Sequence, residues 1–121
     1  MKENVAKKWI VDLRRNYKKK TTQRLKDPDK EKYCCLGRLC LILGHDFDDE
    51  GYVLSKNGKR YKASDGNWEK SLLPKPIRKE AGLKSISGYI KSMDEELTSM
   101  NDGGAGFKRI ATTIEKHWQE L

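Results

Sequence analysis

The residues best suited to chemistry are cations interleaved with aromatic rings. Tyr17, Lys18, Lys20 and Arg24 form one such group. Tyr52, Lys56, Lys59, Arg60, Tyr61, Lys62 and Trp68 form another. A nucleobase stacks on a Tyr or Trp ring while a neighbouring Lys or Arg meets the phosphate. On that chemistry Lys20, Arg24, Arg60, Lys108 and Arg109 are the candidate phosphate contacts. Tyr17, Tyr61 and Trp68 are the candidate stacking platforms. Alternation along a strand sends Arg60 and Tyr61 to opposite faces, so the whole set cannot serve one ligand. The competing reading is a solvated surface whose rings turn one side to the core.

Lys108 and Arg109 belong to the candidate set because of what precedes them. Asn101-Asp102-Gly103-Gly104-Ala105-Gly106-Phe107 places flexible backbone at a helix N-terminus. Free N–H groups and the helix dipole favour an anion there. Two cations in a first turn, where carboxylates are normally preferred, suit a bound phosphate. The alternative is a tight interhelical turn in which Asn101 and Asp102 satisfy backbone amides. The Gly-Lys-Ser/Thr ending of a P-loop is missing.

Three cysteines crowd into Tyr33-Cys34-Cys35-Leu36-Gly37-Arg38-Leu39-Cys40-Leu41. A zinc site usually takes four ligands from separated pairs. Cys35, Cys40 and His45 offer three from one short stretch, so core packing is the better reading and no metal is expected. Cysteine catalysis would need a neighbouring base or positive field to form thiolate, and His117 is remote in sequence. Asp46, Asp48, Asp49 and Glu50 lack calcium-loop spacing and read as a solvated acidic loop. No HExxH, nucleophile elbow or Walker motif occurs, so binding without turnover or cofactor is expected.

The chain has 121 residues, 36% apolar and 36% charged, with net charge +8. That length makes one domain, residues 1–121, able to hold a core without staples. Basic character concentrates in residues 1–32 and 55–91, separated and followed by acidic stretches. If folding joins the basic blocks, the surface attracts phosphates, nucleotides or nucleic acid. Met1-Lys2-Glu3-Asn4 leads straight into an amphipathic pattern, so neither a signal peptide nor a membrane span is expected, and the thiols should be reduced.

The elements that must position these residues form a mainly helical α+β domain, with about five short helices and a small two-stranded ribbon. Val5, Trp9, Leu13 and Tyr17 recur at four-residue steps and predict a helix over Asn4–Asn16. Lys18 to Leu25 lacks helical period and reads as a loop. A second helix covers Cys34–Leu43, with Gly44 as its C-cap. Asn57-Gly58 between Tyr52-Val53-Leu54 and Lys59-Arg60-Tyr61 predicts the ribbon. Ser64 to Asn67 reads as a turn. A short helix runs from Pro76 to Ala81, closed by Gly82. Asp94 should cap a helix through Met100. The last helix covers Phe107–Gln119 and buries Phe107, Ile110, Ala111 and Ile114.

Taken together, Trp9…Leu13…Tyr17, the Cys34-Cys35-Leu36-Gly37…Cys40 box, Leu73-Pro74…Gly82-Leu83 and Leu97…Asn101-Asp102…Phe107…Ile110-Ala111…Ile114-Glu115 resemble a widespread family of small phage and prophage proteins. The likeness spans nearly the whole chain in order. Small accessory phage proteins often counter host defence, and the chain is similar to phage sponges that sequester cyclic dinucleotides in CBASS immunity. That resemblance implies a non-catalytic homo-oligomer, a tetramer by preference, acting in the cytoplasm of the infected bacterial host. Its ligand would be a cyclic dinucleotide such as cyclic GMP-AMP. A protein-binding host-takeover inhibitor and a nucleic-acid-binding accessory protein are the alternatives. One departure stands out. The family pattern has serine before Phe107 and an acidic residue two places after it, a capping box; here Gly106 and Arg109 occupy those places.

Overall fold

The computed structural model describes residues 1–62, 66 and 70–121. Its elements are α1 (Glu3–Arg15), α2 (Cys35–Ile42), α3 (Lys75–Ala81), β1 (Tyr89–Ile90), β2 (Glu95–Glu96), α4 (Leu97–Asp102) and α5 (Phe107–His117). A 3-10 turn, Trp118–Glu120, closes the chain where a longer last helix was expected. This is the small α+β fold that the periodicity predicts.

α1 forms because Val5, Ala6, Trp9, Ile10 and Leu13 share one face and all are buried. That face packs on α5 and α2. α5 answers with Phe107, Ile110, Ala111 and Ile114, and Leu36 and Leu39 of α2 complete the centre. Beside this core, Asp12 and Arg38 meet nearly out of water. Arg38 donates from Nη2 to Asp12 Oδ1 at 2.6 Å and from Nε to Oδ2 at 2.8 Å. A two-pronged pair of this kind fixes the angle between α1 and α2.

α3 begins at Lys75, with Pro76 in its first turn, and ends at Gly82 in the left-handed region (φ +73). The Lys2 N–H donates to the Ala81 carbonyl at 3.1 Å, which ties α3 to the base of α1.

The two-stranded sheet is not where Asn57-Gly58 predicts it. Gly58 does turn the chain (φ +79), and the Ser55 N–H donates to the Lys59 carbonyl at 2.7 Å. The flanks, however, form only isolated bridges, Leu54 to Arg60 and Phe47 to Val53. Asp48 captures this segment instead, as described below. The sheet proper pairs Tyr89 with Glu96 and Ile90 with Glu95, antiparallel. Asp94 does not cap a helix. It sits at φ +50 in the turn of that hairpin, and α4 starts at Leu97.

Gly37 shows how tightly α2 is seated. A Cβ there would lie 1.9 Å from the Leu25 carbonyl oxygen, which is backbone and cannot swing aside. Gly37→Ala is expected to cost at least about 3 kcal/mol, the upper end of overpacking. Gly106→Ala, where a Cβ meets nothing within 4 Å, should cost less than about 1 kcal/mol. Urea unfolding of the two variants checks the contrast.

Candidate functional site

The loop after α1 is pinned to the α4–α5 turn by two side chains. Asn101 is fully buried. Its Oδ1 accepts the Cys35 N–H at 3.1 Å, and its Nδ2 donates to the Thr21 carbonyl at 2.9 Å. Asp102 Oδ1 accepts the Gln23 N–H at 2.9 Å. Gln23 itself is held at φ +66. The pair thus satisfies backbone amides, which is the structural alternative to an anion-binding turn.

This pinning builds a corner. Tyr17 is 43% exposed, and the Lys108 ammonium lies over its ring at 4.1 Å from the centroid, with the Lys18 ammonium at 5.8 Å. Arg24 lines a cleft of about 170 Å³ together with Gln23, Thr98, Asn101 and Asp102. Lys20 lies in the same loop, bridged to Tyr33 through backbone. Lys20, Arg24 and Arg109 form no ion pair among the described residues. α5 starts at Phe107, with Gly106 as an N-cap that offers no side chain and no acidic residue in its first turn. Tyr17 and Lys108 are therefore brought together, with Arg109 exposed in the same first turn of α5 and with Lys20 and Arg24 further along the pinned loop.

Arg60 and Tyr61 face different partners. Arg60 is neutralised: its Nε donates to Asp48 Oδ2 at 2.6 Å, its Nη2 lies 3.3 Å from Glu50, and its guanidinium covers the Tyr52 ring at 4.2 Å. Asp48 also accepts the Glu50 and Tyr52 N–H groups at 3.0 Å. Burial pushes the Asp48 carboxyl up, but the Tyr52 amide, Arg60 and the Glu50 amide outweigh it and hold it below its ordinary value. The acidic loop is thus an organised turn around Asp48 and not a freely solvated one. Trp68 lies outside the described residues.

Tyr61 borders a shallow depression with His45, Lys56, Lys79 and Glu80. His45 is buried. Its Nδ1 faces the Leu54 carbonyl at 3.0 Å and its Nε2 faces Glu80 at 2.8 Å. Lys56 donates to the other Glu80 oxygen at 2.8 Å. Lys56, and then His45, hold the Glu80 carboxyl below its ordinary value of 4.5 against the opposing effect of burial. His45 is thus fully engaged and not turned toward the cysteines.

The thiols are packed in the core. Cys34 Sγ caps α2 by accepting the Gly37 N–H at 3.4 Å. Cys35 Sγ faces the Leu97 carbonyl at 3.8 Å. Burial pushes Cys34 up to about 11 and raises Cys35 and Cys40 further from the thiolate. Among the described residues no three His, Cys, Asp or Glu side chains are grouped as metal ligands.

Sequence reading missed one polar cluster. Ser92 donates from Oγ to Glu120 Oε2 at 2.6 Å and from its N–H to Oε1 at 2.8 Å, and His117 Nδ1 lies 2.8 Å from the same carboxylate. The three residue types invite a catalytic reading. Ser92 and His117, however, hold Glu120 down to about 2, which makes it a very poor base near neutrality. The hydroxyl is spent on that carboxylate, so the cluster clamps the hairpin to the end of α5. No local sequence pattern announces a contact across such a separation.

The chain belongs to the family defined by DUF8296, a domain of unknown function, whose model matches residues 1–118. No curated protein and no solved structure matches it. No helix among the described residues is long and apolar enough to cross a membrane.

Two outcomes follow. A thiol reagent at about pH 8 should label none of the cysteines in the folded chain and all of them in denaturant, because burial suppresses the thiolate; labelling of native Cys34 would contradict this. Glu80, with its lowered folded value, contributes stability above its ordinary pKa and loses it as pH falls through the folded value. The urea midpoint of the wild type should therefore exceed that of Glu80→Gln by more near neutrality than at about pH 3.

Proposed function

We propose that the chain is a non-catalytic binding protein that captures a phosphorylated nucleotide at the Tyr17 corner. The observation that carries this reading is a half-exposed ring with two ammonium groups over it, opening a loop whose Arg24 has no ion-pair partner among the described residues. Rings of this kind hold a base by its face while the cations hold its phosphate. The Arg24 cleft, about 170 Å³, is smaller than the roughly 300–1,000 Å³ of pockets that enclose a small molecule. It suits one phosphate or one base edge, with the rest of the ligand lying over Tyr17. Arg60 takes no part, because Asp48 and Glu50 already answer its charge.

The sequence resemblance to phage cyclic-dinucleotide sponges suggests the ligand class. A cyclic dinucleotide such as cyclic GMP-AMP, sequestered in the cytoplasm of a phage-infected bacterium, fits a corner that offers stacking and cations. An oligomer would supply the second half of such a site. The same chemistry would hold single-stranded nucleic acid, and a steep salt dependence with long strands would mark that alternative.

Calorimetry with a panel of cyclic dinucleotides tests the reading. Tyr17→Ala should weaken binding by about 1–3 kcal/mol, the worth of one stacked base. Lys108→Glu and Arg24→Glu should also weaken it, and Arg60→Ala should leave it unchanged. Nucleotide released by heating should be recovered intact. Failure to bind any member of the panel, or recovery of altered nucleotide, would overturn the proposal.

A further inference from the structure

The outward side of α1 is unusual for a surface helix. Val11 is 47% exposed. It sits in a shallow depression of about 560 Å³ with Lys7, Lys8, Arg15 and half-buried Ile42 around it. Lys7 leans on Glu3 at 3.3 Å, but Lys8 and Arg15 have no ion-pair partner among the described residues. The one carboxylate in the depression, Asp12, is committed to Arg38. The face is thus an apolar dimple edged by unanswered positive charge.

The β1–β2 hairpin carries the opposite character. Tyr89 and Met93 are about 40% exposed, as is Ile86 just before them. Asp94 and Glu95 are exposed beside these apolar groups, followed by half-buried Glu96. Asp94 accepts only the Tyr89 hydroxyl, at 2.9 Å. None of the three carboxylates has a cationic partner among the described residues. Lys91 lies on the β1 side of the turn, so the acidic edge is that of β2. The hairpin is rigidly presented, because Glu120 clamps Ser92 at its turn.

We infer that the outward side of α1 receives the β1–β2 hairpin of a second copy of this chain. Met93 and Tyr89 would cover Val11 and Ile42. Asp94 and Glu95 would face Lys8 and Arg15. Each surface supplies what the other lacks, and both occur once per chain, so every copy both gives and receives. Complementary charge of this kind sets register and excludes wrong partners, while the apolar centre supplies most of the affinity. The contact is between two different patches, so copies join head to tail or reciprocally about a two-fold axis. The four charged groups lie outside the nucleotide corner, so this inference stands apart from the functional reading.

Light scattering after gel filtration at low salt provides the test. The wild-type chain should elute as an oligomer. Lys8→Glu/Arg15→Glu should weaken self-association at least about tenfold by facing like charges together, and Asp94→Lys/Glu95→Lys should do the same. An equimolar mixture of the two reversed variants should associate again, because each now complements the other. A monomeric wild type would overturn the inference, as would an oligomer that both reversals leave intact. A monomer that instead binds an acidic amphipathic peptide at α1 would also overturn it and assign the face to a foreign partner. Nucleotide calorimetry on the same samples separates the two proposals: a monomer that still binds nucleotide sinks only the interface, and an oligomer that binds none sinks only the functional reading.

Discussion

The structure depends on one buried amide. Asn101 has no access to water, so each of its polar atoms must find a protein partner or leave a cost of about 1–3 kcal/mol. It finds the Cys35 N–H on one side and the Thr21 carbonyl on the other. The same Cys35 gives its carbonyl to Trp9 Nε1 at 2.8 Å. One residue at the start of α2 is therefore gripped on both its flanking peptides, by a side chain from α1 and a side chain from α4. The loop between α1 and α2 has nowhere to slide. The corner of Tyr17, Arg24 and Lys108 exists because that loop is fixed, and Asp102 repeats the restraint at Gln23.

Net charge is a poor guide to where a basic chain binds. The +8 of this sequence is divided by the fold into answered and unanswered groups. Arg38 is answered by Asp12, Arg60 by Asp48 and Glu50, and Arg14 by Glu115 at 3.3 Å. An exposed pair such as Arg14–Glu115 contributes little stability, yet it still cancels the field that an anion would feel. Among the described residues Lys20, Arg24 and Arg109, and likewise Lys8 and Arg15, have no ion-pair partner. A negatively charged partner meets uncompensated charge at those groups and not at Arg38 or Arg60.

Helices with a buried face were legible in the sequence because their cause is local. The four-residue steps of Val5, Trp9 and Leu13 dictate α1, and the apolar run of the cysteine box dictates α2. The ribbon was not legible, because its signal was only half the cause. Asn57-Gly58 does turn the chain, but strand pairing needs both flanks free. Asp48, nine residues before the turn, takes the Tyr52 amide and the Arg60 guanidinium for itself. The real hairpin carries no such dipeptide. Its entry is set by Gly88, at φ +73 and packed so closely that a Cβ would stand 2.9 Å from Leu97, and its turn by Asp94. For the candidate site, residue types singled out Tyr17 and Lys108 separately, and only the fold sets the Lys108 ammonium over the Tyr17 ring. They could not separate Arg60 from them, since the separation comes from a carboxylate and not from spacing.

The corner and the interface meet in the stoichiometry of the proposed ligand. A cyclic dinucleotide has two bases and two phosphates, and one corner offers one exposed ring with its flanking cations. A single chain can therefore hold half of such a ligand, and half a ligand held on an open surface leaves quickly. Two corners brought face to face would enclose both halves and make the second contact intramolecular, with an effective concentration in the millimolar range for closely joined sites. Slow release, which sequestration requires, then comes from assembly and needs no deeper pocket in the monomer. Under the inferred interface, the apolar surface left exposed on α1 and the hairpin would be buried where copies meet.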